Sequence, residues 1–349
     1  MGLSYIPTSD AEDLQRRLEL LMVPGTITDP DLERRLRRLD GLFRIYTATC
    51  PVPLWAPGLI LTNEITNQAE RYLPVTEIAH AFGRFCRLAI SSPDPADLLP
   101  FQDALGWLSI LEKLAWAPDA NPARLLMPLF TDWELRCRFL FSLHLPKQHG
   151  GDFVRYPVQM RALAEWLSAR RSGTSTLNCL DAACGTGEGT WDLAGALLAA
   201  GFTPEAVAIK GLTLGALELF AAAHAFFPHD INRQYAYRAE ITPLLDAGIA
   251  ERMLFRQADL RSDNGCQETY GVILCNGLLG GPMLHDRRSV GRVVRSLAAS
   301  LEPGGILMAA DRFHAGWHKV FPREQLEELL VGCGLHLVEG GEGVAGVRT

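Results

Sequence analysis

Residues 151–349 are expected to form an α/β domain built on a mostly parallel, helix-covered sheet, and residues 1–150 a helical region ahead of it. Three observations carry this reading. From Leu177 onward short apolar runs alternate with helical stretches, the pattern of a parallel sheet covered by helices. A glycine-rich turn joins the first of those runs to a helix. The first 150 residues place apolar side chains at helical spacing between proline- and glycine-rich breaks.

In the N-terminal region, DAEDLQRRLELLM opens on an aspartate and reads as a helix that stops near Pro24-Gly25. A second helix starts at Asp29 or Asp31 and runs through LERRLRRLDGLFRIYTA. Its arginines read as solvated helix surface rather than nucleic-acid contacts. CPVPLWAP, with Pro51, Pro53 and Pro57, is too proline-rich for regular structure. Helix resumes around Asn63 and continues in VTEIAHAFGRFCRLAI (75–90). After the turn-rich SSPDPADLLP, further helices are predicted over about 101–116 and 122–143. Trp107, Trp116 and Trp133 are expected to anchor the core or line a groove.

The character changes near Pro157. VQMRALAEWLSARR is an amphipathic helix and RSGTST ends it. The predicted strands are LNCLDAA, AVAIKG, RMLFRQA, YGVILCN and GGILMAA. LHLVEG and GVAGVR are expected to close the sheet as an antiparallel pair.

Bulk properties narrow the function classes. The chain has 349 residues, 48% of them hydrophobic, enough for two cores. A net charge of -7 makes nucleic acid an unexpected partner. No uncharged run of 18 apolar residues occurs, so no membrane span is expected. The opening MGLSYIPTSDAEDLQRR lacks the basic-then-apolar order of a signal peptide and the hydroxyl residue of a myristoylation signal. The eight cysteines form no CxxC pair and the nine histidines no HExxH, so no metal site is read. Buried, reduced cysteines in a cytoplasmic protein are expected.

The strongest local signal is DAACGTGEGTW, from Asp181 to Trp191. An apolar run ends at Asp181, and Gly185-Thr186-Gly187 turns into the next helix. Glycines let the backbone turn tightly and approach a ligand, at the strand carboxyl ends where open parallel sheets bind ligands. The spacing is GxGxG rather than the dinucleotide GxGxxG. Glu188 would repel a pyrophosphate and attract a sulfonium or an amine.

This segment resembles the first motif of the class I S-adenosylmethionine-dependent methyltransferases, which have a Rossmann-like, mostly parallel seven-stranded sheet. The resemblance extends, in order, through MLFRQADL, YGVILCNGLLGG, SLAASLEPGGILMAADRF and HKVFPREQLEELLVGCGLHLVEG. It implies S-adenosyl-L-methionine as cofactor. Asp181, Ala183, Gly185, Thr186, Gly187 and Glu188 would hold its methionine portion. Asp259, with Leu260, would meet the adenine, and Asn276 belongs to the fourth motif. One departure concerns the acid expected at the end of the second strand. Alignment on Ala216-Leu217 puts Gly211 there, with Thr213 as the nearest polar substitute and Glu218 a turn or more beyond. A looser resemblance, to the chemotaxis receptor glutamate methyltransferases, rests on Glu188, on Cys275-Asn276 and on Arg155 in GGDFVRYPVQM. Their small β-subdomain has no evident counterpart.

Methyl transfer needs an in-line nucleophile and exclusion of water, so much of the catalysis is positioning. Asp311 and His314 in DRFHAGWHK, with Arg155 at the rim, are the candidate catalytic residues. Asp311 would orient His314 and Trp317 would wall the pocket. The acceptor is expected to be a small molecule or a protein carboxylate. The helical region would act as a lid or as a homodimerisation element. The competing reading is a cofactor-binding scaffold or regulatory interaction protein without turnover.

Overall fold

Chain order begins with an element that no alternating run announces. β1 (Ser4–Tyr5) is two residues long, cut short before Pro7. The structure is a computed structural model, and it describes residues 2–54, 60–91, 103–145, 152–170, 176–262, 268–281, 283–311 and 321–349. The chain divides into two compact units, Asp10–Leu145 with Phe227–Ile231, and Met1–Ser9 with Pro146–Phe226 and Asn232–Thr349.

The first of these is helical. It contains α1 (Ala11–Leu21), α2 (Pro30–Thr49), α3 (Asn63–Tyr72), α4 (Val75–Ala89), α5 (Ala104–Lys113), α6 (Pro122–Leu126) and α7 (Trp133–His144). Aspartates set the starts. Asp10 accepts from Asp13 N, Asp103 from Gly106 N and Asp132 from Leu135 N, each satisfying a backbone donor that the helix leaves open. Asp29 caps α2 ahead of Pro30 and also receives Arg84 through two nitrogens, at 2.8 and 3.0 Å. The helix predicted over 122–143 is broken. Pro128 has no N–H for an α-helical bond, so 127–130 tightens into a 3₁₀ turn before Asp132 starts α7. Arg136 is fully buried and donates to the carbonyls of Val23, Gly25, Leu129 and Phe130, tying α7 to two loops. On α2 the exposed Arg34 pairs with Asp31 and Arg44 with Asp40, as solvated surface. Trp107 is core. Trp116 donates to Ser142 Oγ under the Arg138 guanidinium.

The other unit continues with α8 (Pro157–Ser168), β2 (Leu177–Asp181), α9 (Glu188–Ala199), β3 (Val207–Thr213), α10 (Ala216–His224) and α11 (Ile231–Asp246). Then come β4 (Met253–Gln257), β5 (Tyr270–Leu274), α12 (Arg287–Ala299), β6 (Leu301–Ala309), α13 (Arg323–Gly332), β7 (Leu335–Val338) and β8 (Val344–Arg348). The sheet order is β1-β4-β3-β2-β5-β6-β8-β7. β4, β3, β2, β5 and β6 are mutually parallel, and β8 and β7 add as the expected antiparallel pair. All five residues of β5 are buried, as suits a central strand covered on both faces. The expected seven strands become eight because Ser4–Tyr5 pairs antiparallel with β4. Two residues are too few to show a period of two. The LEP residues ahead of the predicted GGILMAA strand are taken into β6, with an irregular register against β5. Among the described residues no helix is long and apolar enough to cross a membrane.

Candidate functional site

The carboxyl ends of β2 and β5 face the N-terminus of α9, and a cleft opens there. Its lining comes from the loop after β2, the first turns of α9, Asn276 after β5 and the segment entering α8. Everything in it belongs to the sheet unit.

Asp181 ends β2 and is buried. Its carboxylate accepts from Thr190 Oγ1 at 2.8 Å and from Ala183 N at 3.3 Å. Burial, only partly offset by these bonds, pushes its pKa up to about 6. The chain then turns through Gly185 (φ +52°) and Gly187 (φ +95°), both in the left-handed region. A Cβ on Gly187 would lie 2.7 Å from Ala222 Cβ and from the Tyr237 hydroxyl. One on Gly185 would meet nothing within 4 Å, so this glycine faces open space in the cleft.

Glu188 lines the cleft, yet its charge is already matched. Arg233 Nη2 donates to Glu188 Oε1 at 2.6 Å and to Thr186 Oγ1 at 2.8 Å, while Thr186 Oγ1 donates to Glu188 Oε2 at 2.7 Å. Tyr237 OH donates to the Thr186 carbonyl at 2.9 Å. The ion pair is buried on both sides, with 6% and 5% side-chain exposure, so it acts at low dielectric. Arg233 and Tyr237 stand one turn apart on α11 and brace the glycine loop from behind. Sequence reading missed both. Their i, i+4 spacing was the available signal, but it lay on a helix without a clear apolar face.

One turn beyond Glu188, the half-buried Asp192 also lines the cleft and accepts from Val154 N at 2.7 Å. Burial pushes its pKa up to about 7, and neighbouring Glu188, Glu240 and Asp181 add to the rise. Val154 has φ +52°, an uncommon conformation for a β-branched residue. It sits in the segment that carries Asp152, Arg155 and Tyr156 to the cleft. The start of α8 is held by Glu342, which accepts from the backbone N–H of Val158 and Gln159 at 2.9 and 2.7 Å. Gln159 in turn forms a two-bond amide pair with Asn276, at 3.0 and 2.8 Å, and Asn276 Oδ1 also accepts from Ala310 N.

The structure thus gathers Asp181, Ala183, Gly185, Thr186, Glu188, Asn276 and Arg155 around one cleft. Gly187 underlies its loop. Thr213, Asp259 and Leu260 are not among the residues lining it. Asp259 is held by Arg261 through the backbone N–H and the guanidinium, and that pairing lowers its pKa. Leu260 packs against the core. The register assumed for the second strand is corrected. β3 runs on to Thr213, and Gly211 sits mid-strand opposite Asp181, its missing side chain taken up by the Phe255 ring. The residue at the strand end is therefore Thr213. Glu218 folds back to it and accepts from Thr213 Oγ1 at 2.7 Å, so a carboxylate does stand there. Asp311 lines a second depression with Cys275, Leu279, Phe321, Arg323 and Leu326, at the ends of β5 and β6. His314 and Trp317 lie outside the described residues.

A twisted, mainly parallel sheet with an antiparallel β8–β7 pair, and a glycine loop between β2 and α9, define the class I S-adenosylmethionine-dependent methyltransferase fold, as the resemblance implied. The chain is also similar in sequence to a probable methyltransferase. Over 169 residues it is 29% identical to the probable biofilm formation methyltransferase WspC of Pseudomonas putida, covering 44% of this chain and 39% of that protein. The match therefore spans well under half of the relative's length. No family model matches the chain. Similar solved structures include the sugar N-methyltransferase KedS8 from a Streptoalloteichus species, 16% identical, covering 57% of this chain and 89% of that one, with a TM-score of 0.37. Another is the N-methyltransferase NodS from Bradyrhizobium japonicum in complex with S-adenosylhomocysteine, 14% identical, covering 69% and 97%, with a TM-score of 0.36.

Proposed function

We propose that this protein is an S-adenosylmethionine-dependent methyltransferase acting on a small molecule or a protein carboxylate. The observation that carries this reading is the charge pattern of the cleft at the ends of β2 and β5. Asp181 and Asp192 offer carboxylates with no ion-pair partner among the described residues, and Arg155 offers a cation beside them. An amino acid carrying a neighbouring sulfonium meets that pattern group for group, its cations toward the aspartates and its carboxylate toward Arg155. A dinucleotide pyrophosphate would face the same aspartates and be repelled. Gly185 leaves the backbone open to close approach.

When bound, the cofactor supplies an electrophilic methyl group. The chain's own residues do the positioning. The Glu188–Arg233–Thr186 network and Tyr237 fix the loop in advance of binding, so little ordering is left to be done on association. Glu218, with Thr213, is assigned to the ribose hydroxyls, and Asp259 with Leu260 to the adenine end. Asp311 lies at the second depression, where an acceptor would approach across Asn276; with His314 it is assigned to acceptor orientation. A carboxylate acceptor would need little base catalysis, whereas an amine or phenol would draw on a general base. The similarity to the probable biofilm formation methyltransferase WspC supports the activity, and this chain's own looser resemblance to the chemotaxis receptor glutamate methyltransferases supports a protein carboxylate among the acceptors.

The described cysteines are free and six of the seven are buried, which fits a reducing compartment such as the cytoplasm. The helical unit is assigned as a lid or homodimer element. The test is titration of the full chain with S-adenosylmethionine and NAD, followed by detection of S-adenosylhomocysteine in the presence of candidate acceptors. Binding of the sulfonium with product formation is expected. Preferential binding of NAD would overturn the reading, and binding without turnover on any acceptor would leave the scaffold reading in its place.

A further inference from the structure

Among the described residues, the carboxylates of the cleft outnumber its cations. Asp152, Asp181, Glu188 and Asp192 line it, and among the described residues only Glu188 is matched by an ion pair, with Arg233 behind the loop. Among the described residues, Arg155 is the one further cation on the lining. With every group ionised, four negative charges face two positive ones. Asp181 and Asp192 are the two set into the wall. Their bonds come from Thr190, Ala183 and Val154, all neutral donors.

On the reading of the cleft as a cofactor site, we propose that Asp192, acting with Asp181, is a specificity-determining residue that makes the cleft hold the cationic sulfonium cofactor more tightly than the neutral thioether left after methyl transfer. The two ligands share every other group and differ by one positive charge. A residual negative field in a partly desolvated cleft acts alike on the ammonium and carboxylate that both ligands carry, so the sulfonium charge is what it distinguishes. The consequence for the enzyme is release of its product against its own cofactor, relieving product inhibition.

The field depends on protonation. Charged and titratable groups facing Asp192 are Glu188 on its own helix, Asp181 from β2, Asp152 and Arg155 from the segment before α8, and Glu240 and the Tyr237 phenol from α11. Three of the four acidic neighbours, Glu188, Asp181 and Glu240, act to raise its pKa, which stands at about 7, and Asp181 stands at about 6. Both carboxyls are thus ionised at pH 8 and largely protonated well below pH 6. The preference for the sulfonium should be present at high pH and fade as pH falls.

The test is titration calorimetry of the full chain with S-adenosylmethionine and S-adenosylhomocysteine at pH 6 and pH 8. The ratio of the two dissociation constants, thioether over sulfonium, is expected to rise about tenfold from pH 6 to pH 8. In Asp192→Asn the ratio should change by no more than about threefold between the two pH values. A ratio that does not move with pH in the unsubstituted chain overturns the proposal, and that measurement needs no variant to fold. Full retention of the pH dependence in Asp192→Asn also overturns it, by assigning the effect elsewhere. Failure of both ligands to bind at either pH would instead overturn the cofactor reading on which the proposal rests.

Discussion

At the scale of single residues, the loop after β2 combines two glycines with different duties. Gly187 has a left-handed φ and no room for a Cβ, which would meet Ala222 and Tyr237 at 2.7 Å. Gly187→Ala should cost about 3 kcal/mol or more, from left-handed strain together with overpacking. Gly185→Ala should cost only about 1–2 kcal/mol, since the space is open, yet weaken cofactor binding by intruding on the cleft. Denaturant unfolding and ligand titration of the two variants separate these effects; equal stability losses would contradict the assignment. Glu188 and Arg233 form the second residue-scale case. Removing either partner strands a buried charge, so Glu188→Gln and Arg233→Met should each destabilise by about 3 kcal/mol. The double variant should recover much of that loss. Additive losses in the cycle would mean that the two side chains do not act as a pair.

At the scale of elements, β1 shows how little sequence a structural part can need. Tyr5 is buried, edge-on to Phe220 at 5.6 Å and to His224 at 5.3 Å. The Leu3 carbonyl accepts from Gln257 N. β1 therefore covers the edge of β4, which would otherwise present unpaired backbone groups. Deleting residues 2–9 should lower the stability of the sheet unit by about 2–3 kcal/mol, the worth of one buried aromatic. It should also promote concentration-dependent association through the bared edge. Chemical denaturation and light scattering of the truncated chain give the answer, and unchanged behaviour in both would show β1 to be dispensable. Among the helices, capping aspartates made α1 and α2 readable in advance. The break at 127–130 was less so, because an internal proline can kink, stop or merely bend a helix according to what packs around it.

At the scale of the whole molecule, the two units should answer pH in opposite senses. Burial, with Lys113 nearby, drives the pKa of His144 down to about 4. A histidine with a depressed folded pKa contributes stability above its unfolded value, near 6.5, and loses it as pH falls toward 4. Asp181 and Asp192 have raised values, so the protonated form is the one the fold favours. Their contribution is present below about 4 and is lost as pH climbs through 6 and 7. Moving from pH 8 to pH 5 should therefore weaken protection of α7 amides and strengthen that of β5 amides. Hydrogen exchange corrected for intrinsic rates reads both at once, and a common direction in the two units would contradict the assignment.

The alternation of apolar runs with helices was enough to specify a parallel sheet in the C-terminal part. The reason is that continuous apolar strands can be buried only between helical layers. The motif around Asp181 likewise announced a ligand loop, since glycines and a strand-end acid act locally. The contents of the cleft were another matter. Asp192, Arg155 with Gln159, and Asn276 meet there from three separate segments, and Arg233 reaches Glu188 across 45 positions of chain. The missing acid of the second strand is the clearest instance. Glu218 regains that place only because the helix after β3 folds it back onto Thr213, a convergence set by how helix and strand pack and not by spacing along the chain.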